Sequence, residues 1–180
     1  MEVFEAIQKR RSARAYLPDP VPQDKLERIL EAGRIAPSAS NIQPWHFIVV
    51  RDEHKREKLA KSGVFARFLS QSPVVIVGCG NRKASPKWSI VDTAIAMQNV
   101  VLAATGEGLG TYWVGSFKEE EVKELLNIPD EMNVIALLAV GYPHKRLDLL
   151  GKIAHLIHRR KKPVEIVSLD EFGKPFSKNP

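Results

Sequence analysis

The sequence predicts a single domain that mixes helices and strands around one buried helix, and three observations predict it. The chain has 180 residues, about one domain's worth and enough to bury a proper core. In the stretch SIVDTAIAMQNVVLAATGEGLGTYWVG, Ser89 to Gly115, the only polar side chains between Ile90 and Ala104 are Asp92, Thr93, Gln98 and Asn99. A helix so apolar around most of its circumference belongs in a core. Three apolar runs bounded by proline or glycine, HFIVV, VVIVGC and NVIALLAV, read as strands.

In the core helix, Gln98 and Asn99 break the apolar run well before a membrane-spanning length. Asp92 lies in its first turn, where a carboxylate suits the positive helix end. Gly106, Gly108 and Gly110 end the helix, and Thr111 to Val114 reads as a short strand. A long buried helix needs packing on several sides, and in a chain this short a second copy is a source of some of it.

From the N-terminus, Val3 to Lys9 has a helical pattern with Val3, Phe4 and Ile7 on one face. It runs into Lys9-Arg10-Arg11-Ser12-Ala13-Arg14. Two readings of these arginines stand: a solvated basic helix end favoured by the dipole, or forked donors for a phosphate. Leu17 to Pro22 holds three prolines and must be a connector. Gln23 to about Gly33 is a helix with Leu26, Ile29 and Leu30 inward. Ala36-Pro37-Ser38-Ala39-Ser40-Asn41-Ile42-Gln43-Pro44-Trp45 is a loop, unusually rich in groups that bond a polar heterocycle.

His46 to Val50 is the first strand, Glu53 to Ser62 a charged surface helix, and Val74 to Cys79 the second strand. After the core helix, Lys118 to Leu126 is a helix and Asn133 to Val140 a strand. Leu147 to Ile157 reads as a short amphipathic piece, followed by His158-Arg159-Arg160-Lys161-Lys162-Pro163. Val164 to Leu169 reads as a last strand, placed against another subunit because the domain is already complete.

Composition narrows the function. Apolar residues make up 44% and charged residues 27%, ordinary for a soluble globular protein. Cys79 stands alone, which excludes an intramolecular disulfide and fits a small buried hydrophobe. With no apolar signal region at the N-terminus, a cytoplasmic location is expected. The net charge of +6 admits nucleic acid, membrane phosphate or a phosphorylated small molecule. The basic residues gather at Lys9 to Arg14 and Lys145 to Lys162; no aromatic platform or nucleic-acid motif accompanies the second cluster.

Several chemistries are excluded by pattern. Gly106-Glu107-Gly108-Leu109-Gly110 follows a helix and precedes a strand, the reverse of a dinucleotide loop. His46, His54, His144, His155 and His158 show no ligand spacing, so no metal site is expected. Ser38 and Ser40 lack a nucleophile-elbow context. With no acid, base or nucleophile in evidence, the pattern fits an enzyme whose cofactor carries the chemistry.

Arg10-Arg11-Ser12-Ala13-Arg14, then Pro37-Ser38-Ala39-Ser40-Asn41-Ile42-Gln43-Pro44-Trp45, then the Ala-rich helix leading to Val114-Gly115, together resemble the FMN-dependent nitroreductase family. The resemblance spans Val3 to about Gly173. It implies an α+β fold, a mostly antiparallel sheet flanked by helices, in an intertwined homodimer with FMN at the subunit interface. By that resemblance Arg10, Arg11, Ser12 and Arg14 bind the flavin phosphate and ribityl chain. Pro37, Ser38, Ala39 and Asn41 reach a flavin held mainly by the other subunit, and the Val114 and Gly115 backbone lies beside flavin N5. A C-terminal basic pair, Arg159 and Lys161 or, one register on, Arg160 and Lys162, closes on the phosphate.

The division implied is an FMN-binding domain over 1–163 and a dimer-exchange tail over 164–180, whose strand joins the partner. The activity implied is hydride transfer from NADH or NADPH to a small-molecule electron acceptor such as a nitroaromatic or quinone, by a ping-pong mechanism. Neither nucleic acid nor membrane is an expected partner, and no side chain is expected to be catalytic. The chain lacks the long helical excursion of larger relatives and carries Leu147 to Ile157 instead. A dehalogenase or flavin-consuming enzyme of the same fold is the alternative, and a basic nucleic-acid-binding module a more distant one.

Overall fold

The computed structural model describes residues 1–144 and 160–176. They fall in two units, divided between Arg146 and Leu147. In the first, four strands form one antiparallel sheet: β1 (Trp45–Val50), β2 (Val74–Asn81), β3 (Gly110–Val114) and β4 (Met132–Gly141), in the order β1-β2-β4-β3. Five α-helices accompany it: α1 (Val3–Lys9), α2 (Gln23–Arg34), α3 (Glu53–Lys61), α4 (Ser89–Gly106) and α5 (Glu119–Leu126). This is the α+β fold with an antiparallel sheet that the family resemblance implies, and each of these elements lies within two residues of its sequence expectation.

Alternation along β2 and β4 sorts their side chains into two cores. Val74, Ile76, Ala136 and Leu138 pack with Leu26 and Ile29 of α2 and Met97 and Val100 of α4. Val75, Val77, Leu137 and Ala139 pack with Leu59 of α3, Leu69 of the 3-10 segment Val64–Gln71, and Val122 of α5. The central strands are therefore covered on both faces, which is why they read as continuous apolar runs. One irregularity interrupts the pattern: Gly78 pairs with Ala136 but Cys79 with Val134, so Ile135 is an extra residue. The displaced Val134 N–H donates to the Glu119 carboxylate at 2.9 Å.

Helix α4 is less enclosed than its sequence predicts. Ala96, Met97, Val100 and Ala104 are fully buried, but Ile90, Val91 and Ile95 are exposed. Among the described residues of this unit, no element covers that side. Helix α1 packs on α4 and exposes Val3, Phe4 and Ile7. The end of α4 follows expectation: Gly108 has φ +76°, and Leu109 N–H returns to the Ala104 carbonyl at 2.8 Å.

The second unit corrects one expectation. Val164 to Leu169 is no strand: Pro163–Ile166 is a helical turn, and a lone bridge joins Ser168 to Pro175 beyond it. Pro163 suits the first helical position, and the Glu165 carboxylate accepts the Lys162 N–H at 2.6 Å, which closes the turn. All described residues of this unit are exposed, including Val164, Ile166, Val167, Leu169, Phe172 and Phe176. The segment Leu147 to Ile157 lies outside the described residues.

Candidate functional site

The chain between α1 and α2 runs as an extra strand along β3. Ser12 bridges Thr111 in parallel, and Ala13 N–H donates to the Thr111 carbonyl at 2.8 Å. Farther on, Tyr16 bridges Pro143. Gly110 permits this approach, because a Cβ there would lie 2.7 Å from the Ala13 Cβ. The segment carries Arg10 and Arg14, both half-buried, past β3. The Arg10 guanidinium makes no hydrogen bond among the described residues, while that of Arg14 lies 5.2 Å from the centre of the Tyr112 ring. Arg11 turns back instead: its Nη1 donates to the carbonyls of Gln8 and Arg10 at 2.5 and 2.8 Å. Arg11 thus serves the end of α1, as the helix-end reading expects.

Strand β3 ends at Val114, which is buried, and Gly115, which is exposed. A Cβ on Gly115 would meet nothing within 4 Å. Behind it the chain is tightly held. Ser62 accepts the Lys118 N–H at 2.9 Å, and a Cβ on Gly63 would lie 2.0 Å from the Ser116 carbonyl oxygen. The strand end is therefore a rigid shelf with open space in front of it.

The loop Pro37 to Pro44 lies at the other side of the sheet, leading into β1. Ser40, Asn41 and Gln43 have φ of 50°, 55° and 53°, the left-handed region that ordinary residues avoid. Bonds within the loop hold part of this shape: Ser38 Oγ accepts the Gln43 N–H at 2.9 Å, and the Gln43 amide donates to the Asn41 carbonyl at 3.0 Å. Below it, Ala39 N–H points at the buried carboxylate of Asp92 on α4. Sequence reading assigned Asp92 to its own helix end and missed this bond. The available signal was an acid inside a helix otherwise apolar.

The predicted site residues thus form two groups. Arg10, Ser12 and Arg14 run beside β3, whose end carries Val114 and Gly115, while Pro37, Ser38, Ala39 and Asn41 stand before β1. Because β2 and β4 intervene, the two flanks are three strand spacings apart, about 14 Å. Of the C-terminal pair, Arg159 lies outside the described residues and Lys161 is an exposed residue of the second unit. The remaining candidates for side-chain chemistry are poor. His46 is exposed on β1, and burial pushes the Cys79 thiol up to about 11, which suppresses a thiolate. Among the described residues no cluster could hold a metal ion, and no helix is long and apolar enough to cross a membrane. The best-formed grooves, about 570 Å³ between α2 and β1 and about 530 Å³ between α3 and α5, contain none of the predicted site residues.

An antiparallel sheet covered by helices on both faces, with an arginine-bearing segment along its β3 side, is a layered α+β fold. The chain belongs to the nitroreductase family: the model of that family matches residues 7–64 and 62–142. A protein of Archaeoglobus fulgidus, provisionally named NADH dehydrogenase/NAD(P)H nitroreductase, is 37% identical over 82% of this chain and 88% of its own. The FMN reductase [NAD(P)H] of Bacillus subtilis is 29% identical over 81% of this chain and 67% of its own. The solved FMN-dependent nitroreductase of Clostridium difficile R20291 superposes with a TM-score of 0.81 at 26% identity, covering 94% of this chain and 99% of its own.

The residues present fit a flavin. The open space over Gly115 admits a flat ring against backbone, and Arg10 has donors to spare for a phosphate.

Proposed function

We propose that the protein is an FMN-dependent oxidoreductase, acting as a homodimer, that takes a hydride from NADH or NADPH and reduces a nitroaromatic, quinone or related acceptor. One observation favours the dimeric form of this reading: the two groups of candidate flavin-binding residues lie beside opposite edge strands of one sheet, an arrangement suited to meeting across two chains. Exposed Val3, Phe4, Ile7, Ile90, Val91 and Ile95 supply an apolar surface for that contact. The exposed apolar side chains of Val164, Ile166, Val167 and Leu169 fit an arm laid on the partner. The activity rests on family membership and on the names of the relatives.

Within this site the chain's residues bind and orient. Arg10 and Arg14, with the Ser12 hydroxyl, hold the phosphate end. The Val114–Gly115 backbone sets the height of the ring, and the partner's copy of Pro37, Ser38, Ala39 and Asn41 closes on it. A flavin held there would supply the redox chemistry, two-electron transfer from the nicotinamide to the acceptor. No side chain is required as acid or base, because positioning and solvent protons suffice. The exposed face of a flavin bound there would hold one aromatic at a time, so donor and acceptor would alternate.

Purified protein should be yellow and bleach anaerobically with NADPH or NADH. Steady-state plots at several acceptor concentrations should be parallel lines. Arg10→Ala with Arg14→Ala should weaken FMN by about 1.5–3 kcal/mol for each charge-assisted bond lost. A colourless protein that takes up no FMN would overturn the proposal.

A further inference from the structure

Asp92 is 3% exposed, and the Ala39 N–H lies between its two oxygens at 3.3 and 3.2 Å. These are its only hydrogen bonds as an acceptor among the described residues. The partner is a particular one. Ala39 opens the 3-10 turn Ala39–Asn41, and Ser38 is that turn's N-cap residue. Ser38 supplies no cap bond, because its Oγ is engaged by the Gln43 N–H. The task of receiving the turn's first N–H passes to a carboxylate 53 positions along the chain.

The turn needs such an anchor. Two of its three residues, Ser40 and Asn41, and then Gln43, sit in the left-handed region with no glycine among them. Bonds internal to the loop fix its curl, but they do not fix where the loop stands on the protein. Among the described residues, two hydrogen bonds tie the loop to elements beyond its flanks: Asn81 N–H to the Pro44 carbonyl at 2.8 Å, and Ala39 N–H to the Asp92 carboxylate. Only the second acts on the part of the loop that holds Pro37, Ser38, Ala39 and Asn41.

We propose that Asp92 is a positioning residue for the flavin site: its buried carboxylate fixes the Pro37–Asn41 loop at the height from which it meets the flavin of the other subunit. The inference rests on the flavin reading above. A carboxylate that served only its own helix end would leave flavin binding indifferent to its loss.

The test compares Asp92→Asn and Asp92→Ala with wild type, each as full-length apoprotein. FMN affinity is read by fluorescence titration, amide hydrogen exchange over 36–44 by mass spectrometry, and stability by the urea midpoint. Asp92→Ala should raise the FMN dissociation constant about tenfold or more and speed exchange at the loop, with the urea midpoint held. Asp92→Asn keeps one acceptor oxygen and should fall between the two, which also decides the matter if the alanine variant fails to fold. FMN affinity within twofold of wild type in a folded variant overturns the proposal. So does an affinity loss without faster loop exchange. Wild-type protein that binds no FMN overturns the flavin reading itself, a result separable from either of these.

Discussion

Replacing Gly115 with valine separates what the chain needs from what the ligand needs. A Cβ at Gly115 meets nothing within 4 Å, and the residue is exposed and outside the left-handed region. The apoprotein should therefore keep its stability to within about 0.5 kcal/mol, as for any surface change away from special features. A flavin ring laid against the Val114–Gly115 backbone would meet the new methyl groups directly. Overfilling a packed contact costs roughly 1–3 kcal/mol, which is about 5- to 150-fold in the FMN dissociation constant. Urea denaturation of apoprotein and fluorescence titration with FMN, run on the same samples, give the two numbers. Unchanged affinity would refute the placement of the ring. A drop of more than about 1 kcal/mol in apoprotein stability would refute the claim that the space is open within the chain.

Three further outcomes are expected. Gly63→Ala should cost roughly 1–3 kcal/mol in urea denaturation, because its Cβ would lie 2.0 Å from the Ser116 carbonyl oxygen, a backbone atom that cannot swing aside. Ile90→Lys with Ile95→Lys should shift sedimentation from dimer toward monomer, and truncation before Val164 should loosen the dimer; a stable full-length monomer would refute both. The Arg28 guanidinium, bonded to Glu107 at 2.8 Å, holds that carboxyl below the usual carboxylate range. A folded pKa below the unfolded one stabilises at neutral pH, and the contribution is lost as pH falls below about 4.3 through the lowered value. Glu107→Gln should therefore reduce stability at pH 7 and flatten the acid limb of a urea-midpoint profile; an unchanged limb would show the pair to be screened out.

Much of the fold was legible in the chain because each signal was local. Continuous apolar runs marked β2 and β4, and Gly108 marked the end of α4, since periodicity and backbone freedom act within a few residues. Where the chain reads differently from its sequence, the cause is competition that short patterns do not show. Val164 to Leu169 has strand composition, but Pro163 and Glu165 close a helical turn over its first half. Helix α4 has the composition of a fully buried helix, yet the sequence does not say where its cover comes from, and the described residues leave Ile90, Val91 and Ile95 exposed.

The site divides along the same line. Which residue types gather in Arg10 to Arg14 and Pro37 to Asn41 is a property of the sequence alone, as is the nitroreductase resemblance they carry. That the two groups stand on opposite flanks of one sheet, that Arg11 bends back onto α1, and that Asp92 reaches Ala39 were decided only in three dimensions. Those relations join residues tens of positions apart, and strand order and helix packing, which no local pattern encodes, determine which of them meet.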